Sequence, residues 1–284
     1  MKVFKIDTEL IDFLSCKKGI IFLLGETDTG KTTFANNLIK KLVEKKKRVA
    51  FVDSDVGQST IGPPTTIGLK IVNNEYDLIN KSFDELYFVG SLSPRGHFLP
   101  MLIGTYKLSR LFLNEVEATV IDTTGLVHGN LGMVLKFHKI ELVEPQYVIL
   151  FERNKELKPY KDILKNNNKI NTILLNVSKD IKERGYEQRR KYREDQFKKY
   201  FANANIKTLD LRRISTFPVF NEFKYRAQKF NVLGLESGIN NLLGIGIFLG
   251  FCGDFSIKVF TPLPEIEDIN LVKLGYSKID FIEG

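Results

Sequence analysis

The chain has 284 residues, 43% hydrophobic and 27% charged, enough to bury a sizeable core in about two domains, which excludes an intrinsically disordered protein. Lys and Arg outnumber Asp and Glu by 42 to 34, and the resulting net charge of +8 suits a protein that meets polyanions. No apolar run reaches the ~18 residues of a membrane helix, no signal peptide is readable at the N-terminus, and the cytoplasm is the expected compartment. The longest apolar run, 242–253, contains four glycines and reads as a buried strand pair. Cys16 and Cys252 match neither a disulfide framework nor a metal spacing and read as small core residues.

In chain order, an apolar strand over 20–24 runs into Gly25-Glu26-Thr27-Asp28-Thr29-Gly30-Lys31-Thr32, followed by residues apolar at helical spacing. This fits the phosphate-binding pattern G-x-x-x-x-G-K-[ST] in its strand, loop, helix context. Glycines let backbone N–H groups from Glu26 to Thr33 wrap an anion, the helix N-terminus adds its dipole, Lys31 reaches the β- and γ-phosphates and Thr32 can ligate Mg²⁺. A nucleoside triphosphate is therefore the expected ligand. Lys45-Lys46-Lys47-Arg48 reads as a solvated turn closing this helix.

A second strand, 49–52, ends in Asp53-Ser54-Asp55-Val56-Gly57-Gln58. Residues two apart on a strand share a face, so Asp53 and Asp55 are expected to point together at the phosphates, one serving the metal and the other taking a proton from an incoming hydroxyl. Strand 86–89 leads to Ser91, Ser93, Arg95 and His97, on the sheet edge where such folds bind ligands; a turn at Ser93-Pro94-Arg95-Gly96 explains the same residues without function. Strand 118–121 closes in Asp122-Thr123-Thr124-Gly125, so Asp122 rivals Asp53 for the metal. His128 and His138 have no metal-ligand spacing, and His138 reads as packing on an apolar helix. Strands 147–151 and 172–177 continue an alternation of strands and helices that predicts an α/β fold, a mostly parallel sheet wrapped by helices. Arg184-Gly185-Tyr186-Glu187-Gln188-Arg189 then sets two arginines on different faces of an unbroken helix, and Gly185 permits a break that lets both converge on one anion. Beyond about residue 204, short β-like runs at 206–211, 231–235, 244–249 and 256–260 predict a separate, small β-rich domain. The expected division is 1–205 and 206–284.

Four segments in order, Gly25 to Thr33, Asp53 to Gln58, Phe88-Val-Gly-Ser-Leu-Ser-Pro-Arg95 and Asp122-Thr-Thr-Gly-Leu-Val-His-Gly129, with Arg184 to Arg189 as a fifth, resemble the P-loop polynucleotide 5′-hydroxyl kinase family. That family includes the kinase subunit of the messenger-RNA cleavage factor and the ribosomal-RNA-processing kinases. The resemblance implies transfer of the γ-phosphate of ATP, or another nucleoside triphosphate, with Mg²⁺, to the 5′-OH of a single-stranded or end-exposed RNA or DNA. It implies Asp55 as the group that activates the hydroxyl, Lys31 as the phosphate contact, Thr32 with Asp53 or Asp122 at the metal, and Arg184 and Arg189 as a lid on the transferring phosphoryl. Gln58, Ser91, Ser93, Arg95, His97 and a clasp of Thr123, Thr124, Gly125 and Leu126 are the implied nucleic-acid contacts.

Two departures bear on specificity. Only 24 residues precede Gly25, where many relatives carry a large N-terminal domain for the base. The clasp has Leu126 where relatives often present Trp, and the chain contains no Trp, which should loosen the grip on a terminal base and permit both RNA and DNA. Rival readings are a relative that keeps ATP as a structural clip, a partitioning-type switch ATPase, and an ATP-dependent ligase of the dethiobiotin synthetase kind.

Overall fold

The structure, a computed structural model, describes residues 2–4, 7–80, 82–177 and 184–279. Its first part is an eight-stranded sheet. The strands are β1 (Lys2–Phe4), β2 (Gly19–Gly25), β3 (Val49–Ser54), β4 (Thr66–Val72), β5 (Glu85–Phe88), β6 (Ala118–Thr123), β7 (Tyr147–Glu152) and β8 (Asn171–Asn176), in the order β1-β8-β7-β2-β6-β3-β4-β5. Only β4 runs against its neighbours. The helices between them are α1 (Asp7–Ser15), α2 (Lys31–Glu44), α3 (Glu75–Ile79), α4 (Phe98–Leu111), α5 (Gly129–Val143) and α6 (Lys158–Leu164).

Side chains alternate across β2 with the period of two that a strand imposes. Ile21 and Leu23 join Leu10 and Leu14 of α1 and Phe34, Leu38 and Leu42 of α2 in one buried cluster. Ile20, Phe22 and Leu24 face the other way, against Leu108 of α4, Leu135 and Ile140 of α5 and Tyr160 of α6. Both faces of the central strands are covered, as a mostly parallel sheet requires. From β2 the chain crosses by α2 over one face to β3; from β6 it crosses by α5 over the other face to β7. The C-terminal ends of β2, β3 and β6 therefore border a single crevice, the place where open α/β sheets bind ligands.

After α7 (Tyr186–Tyr200) come β9 (Asn205–Asp210), β10 (Ser215–Phe217), α8 (Phe220–Arg226), β11 (Asn231–Glu236), β12 (Leu242–Phe251), β13 (Ser256–Thr261) and β14 (Leu271–Lys278). They form a second, six-stranded sheet in the order β10-β14-β11-β12-β13-β9. It docks on the edge of the first: Phe88 of β5 packs with Val232, Ile245, Ile247 and with Phe197 and Phe201 of the α7 region.

Several expectations need correcting. Strand β4 was not expected, because Gly68 and Lys70 interrupt its apolar pattern; Lys70 reaches the strand's end to bond Ser82. Residues 242–251 are one long strand rather than a strand pair, since both its neighbours, β11 and β13, come from outside the run. Strands β10 and β14 and helix α8 went unread. Both cysteines are exposed. On α5 Lys136 and Lys139 are buried alongside Leu135, Ile140 and Val143, while His138, expected to pack, faces solvent and meets Glu141 at 2.9 Å. Among the described residues no helix is long and apolar enough to cross a membrane.

Candidate active site

The phosphate loop leaves β2 and enters α2 at Gly30, whose left-handed φ of 87° costs glycine little. Lys31 is buried, and its Nζ donates to the carbonyl of Glu26 at 2.5 Å. Burial pushes its ammonium pKa down, opposed by the nearby carboxylates of Asp122, Asp55, Asp28 and Glu26. Thr29 also folds back on Glu26, Oγ1 to carbonyl at 2.8 Å. The loop thus bonds to itself, and Thr27 through Thr33 line a cavity of about 430 Å³ together with Asp55, Gln58, Thr60, Asp122, Thr123, Arg184 and Tyr192.

Thr32 donates through Oγ1 to Asp122 Oδ2 at 2.5 Å. The other oxygen of Asp122 is buried without a hydrogen-bond partner, and burial raises that carboxyl's pKa against the pull of Lys31 and Thr32. Asp53 differs. Its two oxygens accept from the backbone N–H of Asp55 at 3.0 Å and from Thr60 through both N–H, at 2.5 Å, and Oγ1, at 2.7 Å. Buried beside Asp122, it is pushed up to about 7. Asp53 and Asp55 therefore do not point the same way: the strand ends at Ser54 and the chain turns. Asp53 organises the loop, whereas Asp55, whose Oδ1 accepts from Gly57 and Gln58 at 3.0 Å each, faces open space.

A second cavity, about 550 Å³, adjoins the first and shares Thr27, Asp55 and Gln58 with it. Ser93, Arg95, Thr124, Gly125, Leu126, Arg189 and Arg193 are among its other lining residues. Gly125 is pressed so closely on the phosphate loop that a Cβ there would come within 2.7 Å of Thr27 Cα. Ser91 does not reach the cavity. It is buried and pins the loop, donating to Ser93 O at 2.9 Å and accepting from Ser93 N–H at 3.2 Å, and the turn lies one residue later than expected, over 94–97, closed by His97 N–H on Pro94 O at 3.0 Å. His97 packs against Tyr276 instead, their ring centroids 4.3 Å apart and their planes tilted by 44°. A larger cavity of about 590 Å³, lined by Arg110, Tyr160 and Lys169 among others, gathers no comparable set of convergent charged groups.

The break at Gly185 is present, since α7 begins at Tyr186 with Gly185 as its N-cap. Arg184 and Arg189 converge on Asp28 of the phosphate loop: Arg184 Nε to Oδ1 at 2.8 Å, Arg184 N–H to Oδ2 at 2.9 Å, and Arg189 Nη2 to Oδ2 at 3.4 Å. Arg153, after β7, holds the Asp28 carbonyl at 3.0 Å. Tyr192 donates to Ser59 O at 3.0 Å and Gln58 Nε2 to Arg189 O at 3.2 Å, tying the lid to the β3 loop. Arg190 pairs with Glu194 on the solvent side.

Two buried lysines of α5 support the site from beneath. Lys136 Nζ donates to Thr123 Oγ1 at 2.6 Å and Thr124 O at 2.5 Å; Lys139 Nζ donates to Ser54 Oγ at 2.9 Å, which donates to Asp122 O at 3.0 Å. Burial drives Lys136 well below its usual range and Lys139 to about 7. Their three-residue spacing on an apolar helix was the available signal. His128, exposed, meets Glu26 across the mouth of the second cavity.

Residues 25–203 match the family model described as mRNA cleavage and polyadenylation factor CLP1 P-loop. The chain belongs to the CLP1 P-loop family. It is 39% identical to a polyribonucleotide 5′-hydroxyl-kinase of Pyrococcus abyssi over 69% of this chain and 54% of that one. With a polyribonucleotide 5′-hydroxyl-kinase of Pyrococcus furiosus it shares 35% identity over 91% of this chain and 87% of that one. It spans just over half of the first relative's length. Among solved structures, a Clp1p–Pcf11p complex superposes with a TM-score of 0.72 over 96% of this chain and 78% of that one, at 12% identity, a likeness of fold. A mostly parallel P-loop sheet with a second β-rich sheet is the family's architecture in this chain.

Proposed function

We propose that this CLP1-family chain is a cytoplasmic polynucleotide 5′-hydroxyl kinase that moves the γ-phosphoryl of ATP to the 5′-OH of RNA or DNA. The observation that carries this reading is the position of Asp55, on the wall shared by the phosphate-loop cavity and the arginine-lined cavity beside it. A hydroxyl entering from the second cavity meets a carboxylate able to take its proton as the oxygen attacks the phosphorus. Lys31 and the loop amides bind the triphosphate, and Arg184 and Arg189 stand ready to take up charge on the transferring group. Thr124, Gly125 and Leu126 line one side of the polynucleotide path and Ser93 and Arg95 another.

The residues fit Mg²⁺ at Thr32 and Asp122, where a buried carboxylate oxygen lacks a partner beside a threonine hydroxyl. Bound there, Mg²⁺ would neutralise charge on the β- and γ-phosphates. Asp53, its oxygens already committed to Thr60 and Asp55, supports that site from behind. Family membership and relatives named polyribonucleotide 5′-hydroxyl-kinase favour this over the ligase and switch-ATPase readings.

The test is incubation with Mg²⁺, γ-labelled ATP and 5′-OH oligomers of RNA and DNA. Label should enter both polymers, and Lys31→Ala, Asp55→Asn and Arg189→Ala should each lose transfer by about 10² or more. Retention of ATP with no label transferred would turn the chain into a nucleotide-clipped scaffold.

A further inference from the structure

Resting on the kinase reading, we propose that Tyr276, with Arg226 and Tyr225, forms a stacking platform on the second sheet for the nucleotides that follow the 5′ end of a single-stranded polynucleotide. Tyr276, on β14, is more than half exposed, and Tyr225, in the last turn of α8, is 89% exposed. The Arg226 guanidinium lies 5.5 Å from the centroid of the Tyr276 ring and is fixed there by Glu222 at 2.7 Å. His97 meets the same ring at 4.3 Å, tilted by 44°. Three planar groups from three distant parts of the chain are thus gathered at one place on the surface.

Position ties this cluster to the polynucleotide path. Arg95 lines the second cavity, and two residues of chain reach at most about 7 Å, so His97 and the ring it touches lie next to the cavity rim. The anchoring is rigid. Gly90 O accepts from Tyr276 N–H at 2.7 Å and Ser277 N–H at 3.1 Å, and Leu92 N–H, in the cavity wall, donates to Ser277 Oγ at 3.0 Å. A polynucleotide whose 5′ end sits at Asp55 and whose phosphates follow Arg95 and Arg193 passes this rim as it leaves.

Packing between the two sheets accounts for the His97–Tyr276 contact. It does not account for a tyrosine left mostly in water under an arginine whose chain neighbour, Tyr225, is almost fully exposed. Bases stack on aromatic and guanidinium planes whatever their sequence. With Leu126 in the clasp and no Trp in the chain, these planes are the stacking surface available on this rim.

The experiment compares kcat/KM for a 5′-OH dinucleotide, too short to reach the platform, with that for a single strand of about ten nucleotides, within the span such sites cover. Wild type should favour the longer strand. Tyr276→Ala should shrink that advantage about tenfold, Tyr276→Phe should keep it, and Tyr225→Ala, at a position too exposed to endanger the fold, should reduce it in the same direction. A wild type without length preference, or an advantage unchanged in both alanine variants, overturns the platform. If wild type transfers no phosphate to either strand, the kinase reading fails instead. Fluorescence anisotropy of the labelled longer strand then decides the platform alone: weaker binding by Tyr276→Ala keeps it and equal binding removes it.

Discussion

At the scale of single residues, Asp28 joins the phosphate loop to the two arginines that follow β8. Its side chain, 5% exposed, is shared by Arg184 and Arg189, so the phosphate loop itself aims the lid. A carboxylate there also repels a bound triphosphate, and the two effects predict opposite consequences of one substitution. Asp28→Ala should bind ATP more tightly, by a few-fold, yet lower kcat for oligonucleotide phosphorylation between about ten- and a hundredfold, because misdirected guanidiniums lose their alignment with the reacting group. Calorimetric titration with a non-hydrolysable ATP analogue and steady-state kinetics measure the two halves; weaker ATP binding with unchanged kcat would contradict the assignment. The arginines were legible in sequence, because Gly185 between them marks where a helix must start. Their anchor was not, since 156 residues separate Arg184 from Asp28 and local spacing carries no trace of that pairing.

At the scale of elements, β2 with its phosphate loop and α2 could be read outright, since each local signal there agrees with the fold. Strand β4 escaped because Gly68 and Lys70 break its pattern, and Asp53 was misdirected because strand alternation was extended one residue past the end of β3. The least legible element was α5. Its Lys136 and Lys139 look like solvent-facing residues, but in the fold they lie under the C-terminal ends of β3 and β6 and bond to them. Lys139 titrates near 7 in the folded protein against about 10.4 in an unfolded chain. Between those values the unfolded chain holds more protons, so this residue's contribution makes stability rise with pH from about 7 towards 10, by at most ~1.4 kcal/mol per unit. Urea denaturation at pH 7 and pH 9 should show wild type gaining stability relative to Lys139→Met across that interval. A constant difference between the two proteins would mean that Lys139 is not held near neutrality.

At the scale of the whole molecule, the two sheets meet where backbones touch. A Cβ at Gly90, whose φ is +75°, would fall 2.8 Å from Gly275 Cα, and one at Gly234 would fall 2.6 Å from the Phe88 ring. Phe88 fills this seam together with Phe197 and Phe201, and Phe197 belongs to the helix that carries Arg189. The same contact therefore holds the second sheet in place and backs the lid. Phe88→Ala should destabilise the protein by about 3–5 kcal/mol, the usual consequence of emptying a buried aromatic site. It should also split a single unfolding transition into two, because each sheet keeps a core of its own while the contact that couples them is gone. In kinetics, the same variant should lose oligonucleotide phosphorylation at temperatures where it still binds ATP, since β2, which leads into the phosphate loop, is separated from the seam by β6, β3 and β4. Chemical denaturation followed by far-ultraviolet circular dichroism and by tyrosine fluorescence separates the outcomes. Coincident curves with an unchanged midpoint would show that Phe88 neither joins the sheets nor supports the lid.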